Sequence, residues 1–182
     1  MKETSKIVFK AMLSHLNGKS VILGVTGSIA AVKAAALARE LVRAGAAVTC
    51  VMTESAEQFV SREEMREATG KEIIGSLFPG EPPPNPRLEK AGGHVLEKPM
   101  GQVLEKIPSY SASLHSRESF SELTWHVHLA RSCDAMLIAP CSATTIGKLR
   151  VGIYDNAVTL AAASLPKGTP LIIVPAMDED MW

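Results

Sequence analysis

Apolar residues recur along this chain in two rhythms, short unbroken runs and helical spacings, and the two alternate. Ser20 to Val25 is an apolar run rich in β-branched residues and predicts a buried strand. Ile29 to Ala44, dense in alanine and leucine, predicts a helix stopped by Gly45. Ala46 to Met52 predicts a second strand, so the unit is a strand–helix–strand crossover. Ahead of it, Ile7, Val8, Met12, Leu13 and Leu16 are spaced for an amphipathic lead-in helix over Glu3 to Leu16, ended by Asn17-Gly18. Ser61 to Thr69 predicts a helix with Ser61 as cap and Glu64 three residues on.

The pattern then breaks. Phe78 to Phe120 carries most of the prolines, few large apolar residues and a short repeat, Gly93 to Met100 followed by Gly101 to Pro108. A proline in each repeat argues against a helix and predicts a solvated insertion or protruding arm. Periodicity resumes at Glu122. Helix is predicted for Glu122 to Cys133, strand for Asp134 to Pro140 and helix for Ser142 to Gly152. A helix with Asp155 as its cap follows over Asp155 to Leu165, then another buried strand over Pro170 to Met177. Four or five apolar strands alternating with helices give an α/β fold: a doubly wound parallel sheet, three-layered and flavodoxin-like or Rossmann-like, in a single domain over 1–182. The last strand is followed almost at once by Trp182, so the chain is expected to be part of a longer protein.

Composition narrows the function. With 19 basic and 19 acidic side chains the net charge is zero, which offers no electrostatic footprint for nucleic acid or an anionic membrane. Aromatic residues make up only 4%, too few for base-stacking platforms. The three cysteines, Cys50, Cys133 and Cys141, form no C-x-x-C pair, so neither a disulfide framework nor a metal site is expected. With no apolar run of membrane-spanning length and no signal-peptide pattern at the N-terminus, a cytoplasmic protein is expected.

Ligands of open parallel sheets sit at the carboxyl ends of strands. Here those ends are Thr26-Gly27-Ser28, Thr53-Glu54-Ser55, Pro140 to Thr145 and Pro175 to Asp178. Three are rich in hydroxyl residues, which together with helix N-termini suit a phosphate. Gly27 permits close backbone approach. The second strand closes on Met52-Thr53, with a carboxylate only at Glu54. A dinucleotide site wants an acidic residue at that strand end, so a mononucleotide phosphate is favoured. The plainer alternative is that Thr53 and Ser55 cap the next helix. His126 and His128, two apart on a helix, face different sides and cannot share a metal. Packed or surface histidines are the plain reading of both, and a small buried residue that of Cys141.

Three stretches taken together, "GVTGSIAAVKAAALARELVRAGAAVTCVMTESAEQF", "HVHLARSCDAMLIAPCSATTIGKLRVGIYDNAV" and "VPAMDEDMW", resemble the flavin-dependent cysteine decarboxylase family. The likeness is strongest to its phosphopantothenoylcysteine decarboxylase branch, often the first half of a bifunctional coenzyme A biosynthesis protein. It covers roughly Lys19 to Phe59 and Trp125 to Trp182. The resemblance implies bound FMN. Gly27, Ser28, Ile29 and Thr53 would lie at the phosphate with Phe59 nearby, and Cys141, Ser142, Ala143 and Thr144 would contact the flavin. It places the catalytic histidine on His126 and assigns substrate contact to Met177 and Asp178.

The implied reaction is FMN-dependent decarboxylation of 4'-phosphopantothenoylcysteine to 4'-phosphopantetheine, in a homotrimer or a multiple of one. His126 would be general base or would orient the substrate thiol. The family's flap, with its proton-donating cysteine, falls beyond Trp182. Thr144 and Asp178 each stand where the family usually has asparagine, and an ionised Asp178 would repel a substrate carboxylate. A flavin reductase or flavin prenyltransferase of the same fold, and a non-catalytic FMN-binding regulatory subunit, are the alternative readings.

Overall fold

The computed structural model describes residues 16–75, 125–178 and 180. The expected insertion, Phe78 to Phe120, and all of the expected lead-in helix except Leu16 lie outside the described residues. The chain divides into two compact units, Met1–Leu77 with His126–Trp182, and Phe78–Trp125. The first unit carries the sheet.

The apolar runs become strands: β1 (Ser20–Val25), β2 (Ala47–Met52), β3 (Ala135–Cys141) and β4 (Leu171–Pro175). All pair in parallel, in the order β2-β1-β3-β4. The chain leaves β1 for β2 on one side and later places β3 on the other. The topological switch point therefore lies between β1 and β3, where open α/β sheets bind ligands.

The helix expected over Ile29 to Ala44 divides in two. Residues Ile29–Lys33 form a 3-10 helix, and α1 runs over Ala34–Arg43. Ser28 causes the tight start: its Oγ accepts from Ala30 N–H at 3.4 Å and its carbonyl from Ala31 N–H at 2.8 Å. Gly45 ends the unit at φ +88°, and a Cβ there would stand 2.6 Å from Asn17 Oδ1. The next helix, α2 (Arg62–Thr69), starts as expected, with Ser61 Oγ accepting from Glu64 N–H at 3.1 Å.

After α3 (Trp125–Arg131), two details depart from expectation. β3 does not end at Pro140 but continues to Cys141, through a cis Ala139–Pro140 bond and a register shift between Ile138 and Cys141. Proline has no N–H for the ladder, so the pairing slips where it stands. Then come α4 (Ala143–Val151) and α5 (Ala157–Ala163). The cap of α5 is Asn156, not Asp155: Asn156 Oδ1 accepts from Thr159 N–H at 3.0 Å. Asp155 is held instead by Lys148 Nζ, at 2.7 and 2.9 Å.

Alternation within the strands builds two cores. Val21, Leu23 and Val25 join Val48, Cys50 and Met52 against Ala34, Ala35, Ala38 and Leu41 of α1 and Met65 of α2. On the opposite face Gly24 makes room for α5, because a Cβ there would stand 3.0 Å from Val158 Cγ1. The result is the expected three-layer α/β arrangement, but the last strand, expected to be buried, is not: β4 stands at the edge of the described sheet and leaves Leu171, Ile172, Ile173 and Val174 exposed. At the amino ends of the strands, Asp134 fastens β3 to β1, accepting from Ser20 N–H at 2.8 Å and Lys19 Nζ at 3.0 Å.

Candidate functional site

At the carboxyl ends of the strands, hydrogen bonds knit four loops into one rim. Thr53 N–H donates to Val25 O at 3.0 Å, joining β2 to β1. Thr26 N–H and Oγ1 both donate to Pro140 O, at 3.2 and 2.8 Å, and Thr26 Oγ1 accepts from Ser142 N–H at 2.8 Å, joining β1 to β3. Ala176 N–H donates to Cys141 O at 3.0 Å, and Ser28 Oγ to Ala176 O at 3.3 Å, bringing in β4. Gly27, Ser28, Thr53, Cys141 and Ser142 thus stand on one connected edge, although they are far apart in the chain.

The turn after β1 is built close against the loop after β2. A Cβ on Gly27 would stand 2.6 Å from Ser55 Cβ and 3.2 Å from the Ser55 carbonyl carbon, so only glycine fits. Thr53 and Ser55 do not cap the following 3-10 helix with their side chains. Their hydroxyls pair with each other at 3.1 Å. Among the described residues, no protein acceptor takes the backbone N–H groups of Gly27, Ser28 or Ile29. Three open N–H groups beside hydroxyls, where a Cβ is forbidden, are what an anionic phosphate requires.

The loop after β3 offers a different surface. Ser142 Oγ accepts from Thr145 N–H at 3.3 Å and so caps α4, leaving Ala143 half-buried and Thr144 exposed on its first turn. Cys141 is buried, and desolvation pushes its thiol up to about 11. It is therefore a neutral thiol near pH 7, not a thiolate nucleophile. Ile29 is 78% exposed and Phe59 39%, two apolar side chains left in the open at the ends of β1 and β2. Past β4, Met177 is half-buried and Asp178 exposed, with Asp178 Oδ1 accepting from Asp180 N–H at 3.2 Å. On α3, His126 is half-buried and His128 exposed. Among the described residues, no hydrogen bond ties His128, Phe59, Met177 or Asp178 to the rim.

From sequence, Ser55 stands out only as a strand-end hydroxyl or a helix cap, and Thr26 only as a strand-end hydroxyl, a signal shared by ordinary strand ends. Among the described residues, no group of three or more His, Cys, Asp or Glu side chains could hold a metal, and no helix is long and apolar enough to cross a membrane.

A comparison with protein families gives a match to the Flavoprotein family over residues 10–182, nearly the whole chain. The chain belongs to the flavoprotein family. Among curated relatives, the flavoprotein is 33% identical over 164 residues to a probable phosphopantothenoylcysteine decarboxylase of Streptococcus mutans, covering 90% of this chain and 70% of that protein. It is 29% identical over 167 residues to the coenzyme A biosynthesis bifunctional protein of Methanocaldococcus jannaschii, covering 92% of this chain and 31% of the relative. The chain spans about a third of the length of such bifunctional relatives. Among solved structures, it resembles the FMN-dependent cysteine decarboxylase TvaF of thioviridamide biosynthesis, with a TM-score of 0.58 at 24% identity, over 90% of this chain and 76% of that one. The three-layer fold and the flavin cofactor expected from sequence agree with these likenesses.

Proposed function

We propose that this flavoprotein holds FMN along the rim and catalyses decarboxylation of 4'-phosphopantothenoylcysteine to 4'-phosphopantetheine. The observation that carries the reading is the Gly27 turn: its three N–H groups have no acceptor among the described residues, and it packs against Ser55, whose hydroxyl pairs with that of Thr53. Gly27, Ser28, Ile29 and Thr53 would hold the phosphate, with Phe59 close by. Cys141 to Thr144 would lie along the ring. The family match and the decarboxylase relatives support the same chemistry.

When bound, the flavin supplies two-electron redox chemistry that makes the sulfur-bearing end of the substrate an electron sink for loss of CO₂. The chain's own residues bind, orient and move protons. His126, half-buried on α3, would take a proton from the substrate thiol or fix its orientation. Met177 and Asp178 would contact the carboxylate end. An ionised Asp178 opposes a second carboxylate, so the productive complex needs one of the two protonated or a cation between them. The protein would act in the cytoplasm as a homotrimer or a multiple of one, with residues 1–182 as one FMN-binding domain and Phe78 to Phe120 inserted in it.

A non-catalytic FMN-binding regulatory subunit is the second reading, favoured by Asp178 standing where the family usually has asparagine. Incubating the FMN-loaded full-length protein with phosphopantothenoylcysteine and measuring carbon dioxide release separates the two. Release at catalytic turnover supports the decarboxylase. Stoichiometric FMN binding without release supports the regulatory subunit.

A further inference from the structure

The regular ladder between β1 and β3 runs from Val21–Ala135 to Gly24–Ile138 and stops there. It stops at the topological switch point, where β1 and β3 part to deliver two different loops to the rim. One side chain spans the gap. Thr26 is 1% exposed, and its hydroxyl is saturated across the gap, donating to Pro140 O at 2.8 Å and accepting from Ser142 N–H at 2.8 Å. A hydroxyl is suited to this because it can donate and accept at once. Its backbone leads directly into Gly27 and Ser28, while its partner Ser142 caps α4.

We propose that Thr26 is a positioning residue that sets the spacing between the phosphate turn, Gly27 to Ile29, and the segment Cys141 to Thr144. This rests on the reading that the rim holds FMN by both loops. A ligand that reaches both gains from their being pre-set at one separation, because the cost of ordering them is already met in the fold. A ligand that uses only one loop gains nothing from that spacing. Thr26 therefore governs the advantage of FMN over riboflavin, which carries the same ring without the phosphate.

The test is flavin titration of the full chain, freed of cofactor, for wild type, Thr26→Val and Thr26→Ser, with FMN and with riboflavin. Flavin fluorescence reads the affinity and far-UV circular dichroism checks the fold. Thr26→Val keeps the shape and the Thr26 N–H bond to Pro140 O, and removes both bonds of the hydroxyl. The expected result is that wild type prefers FMN, that Thr26→Val loses about tenfold of this preference, and that Thr26→Ser restores it. Equal weakening toward both ligands, or an unchanged preference, would overturn the proposal, since a merely structural threonine moves both affinities together. If Thr26→Val does not fold, Thr26→Ala serves in its place. Unfolding of both, with Thr26→Ser intact, also makes the residue structural and overturns the positioning role. A wild-type protein that binds neither flavin refutes the FMN reading itself, an outcome distinct from the others.

Discussion

Gly27 and Ser55 occupy adjoining space so tightly that the smallest side chain on the first would collide with the second, its Cβ falling 2.6 Å from Ser55 Cβ. The loops after β1 and β2 are thereby pressed together, and the Thr53 and Ser55 hydroxyls are held beside the open N–H groups of the turn. The glycine is needed for this contact.

Gly27→Ala is accordingly expected to push the Ser55 loop outward and weaken FMN binding by tenfold or more, on the order of 1.4 kcal/mol. The sheet beneath should survive, because Gly27 lies past the last residue of β1. Adding Ser55→Gly removes the colliding side chain and should recover part of the affinity. Equilibrium titration with FMN reads both effects. Unaltered affinity in Gly27→Ala would mean the phosphate lies elsewhere.

His126 and His128 separate the catalytic reading from a structural one. Two positions apart on α3, they diverge by about 200°, and their burial differs accordingly. His126→Asn should retain FMN and lose nearly all carbon dioxide release, whereas His128→Asn should stay near wild type. A dead His128→Asn would reverse the assignment, and full activity in both would remove histidine from the chemistry.

Asp134 makes stability depend on acidity. The Ser20 N–H and the Lys19 ammonium hold its carboxyl below the ordinary carboxylate range. A folded-state pKa depressed below the unfolded value of about 3.9 adds stability above that pH, and the gain is lost as the pH falls through the folded value. Asp134→Asn should therefore lower the thermal midpoint at pH 7 and flatten its fall below about pH 4. Thermal melts from pH 7 to pH 2.5 would show an undiminished acid slope if the pair contributes nothing.

Asn156→Ala removes the cap of α5 and should cost about 1 kcal/mol. Asp155→Ala leaves the cap in place and breaks an exposed ion pair with Lys148, so it should cost less. Chemical denaturation of the two variants checks the order, and the reverse order would restore Asp155 as the capping residue.

The apolar runs and helical spacings of this chain were sufficient for its layers. Strands that bury both faces must be continuously apolar, and Ser20 to Val25 and Asp134 to Pro140 could be little else. Hydroxyl-rich strand ends with Gly27 pointed to a phosphate, because few other patterns offer open donors at that place. Capping was half legible: Ser61 followed the rule, but Asp155 and Asn156 both satisfy it, and only Lys148, seven residues before Asp155, decided between them. The 3-10 start of the Ile29 to Ala44 helix goes with two bonds to Ser28, a local detail below the resolution of any periodicity. The slip in β3 depends on pairing with β4, and the Thr26 bridge on contact between segments more than a hundred residues apart. Such contacts are set by which strands lie side by side. A linear pattern carries no term for that, so the rim came into view only when the sheet brought β1 and β3 together.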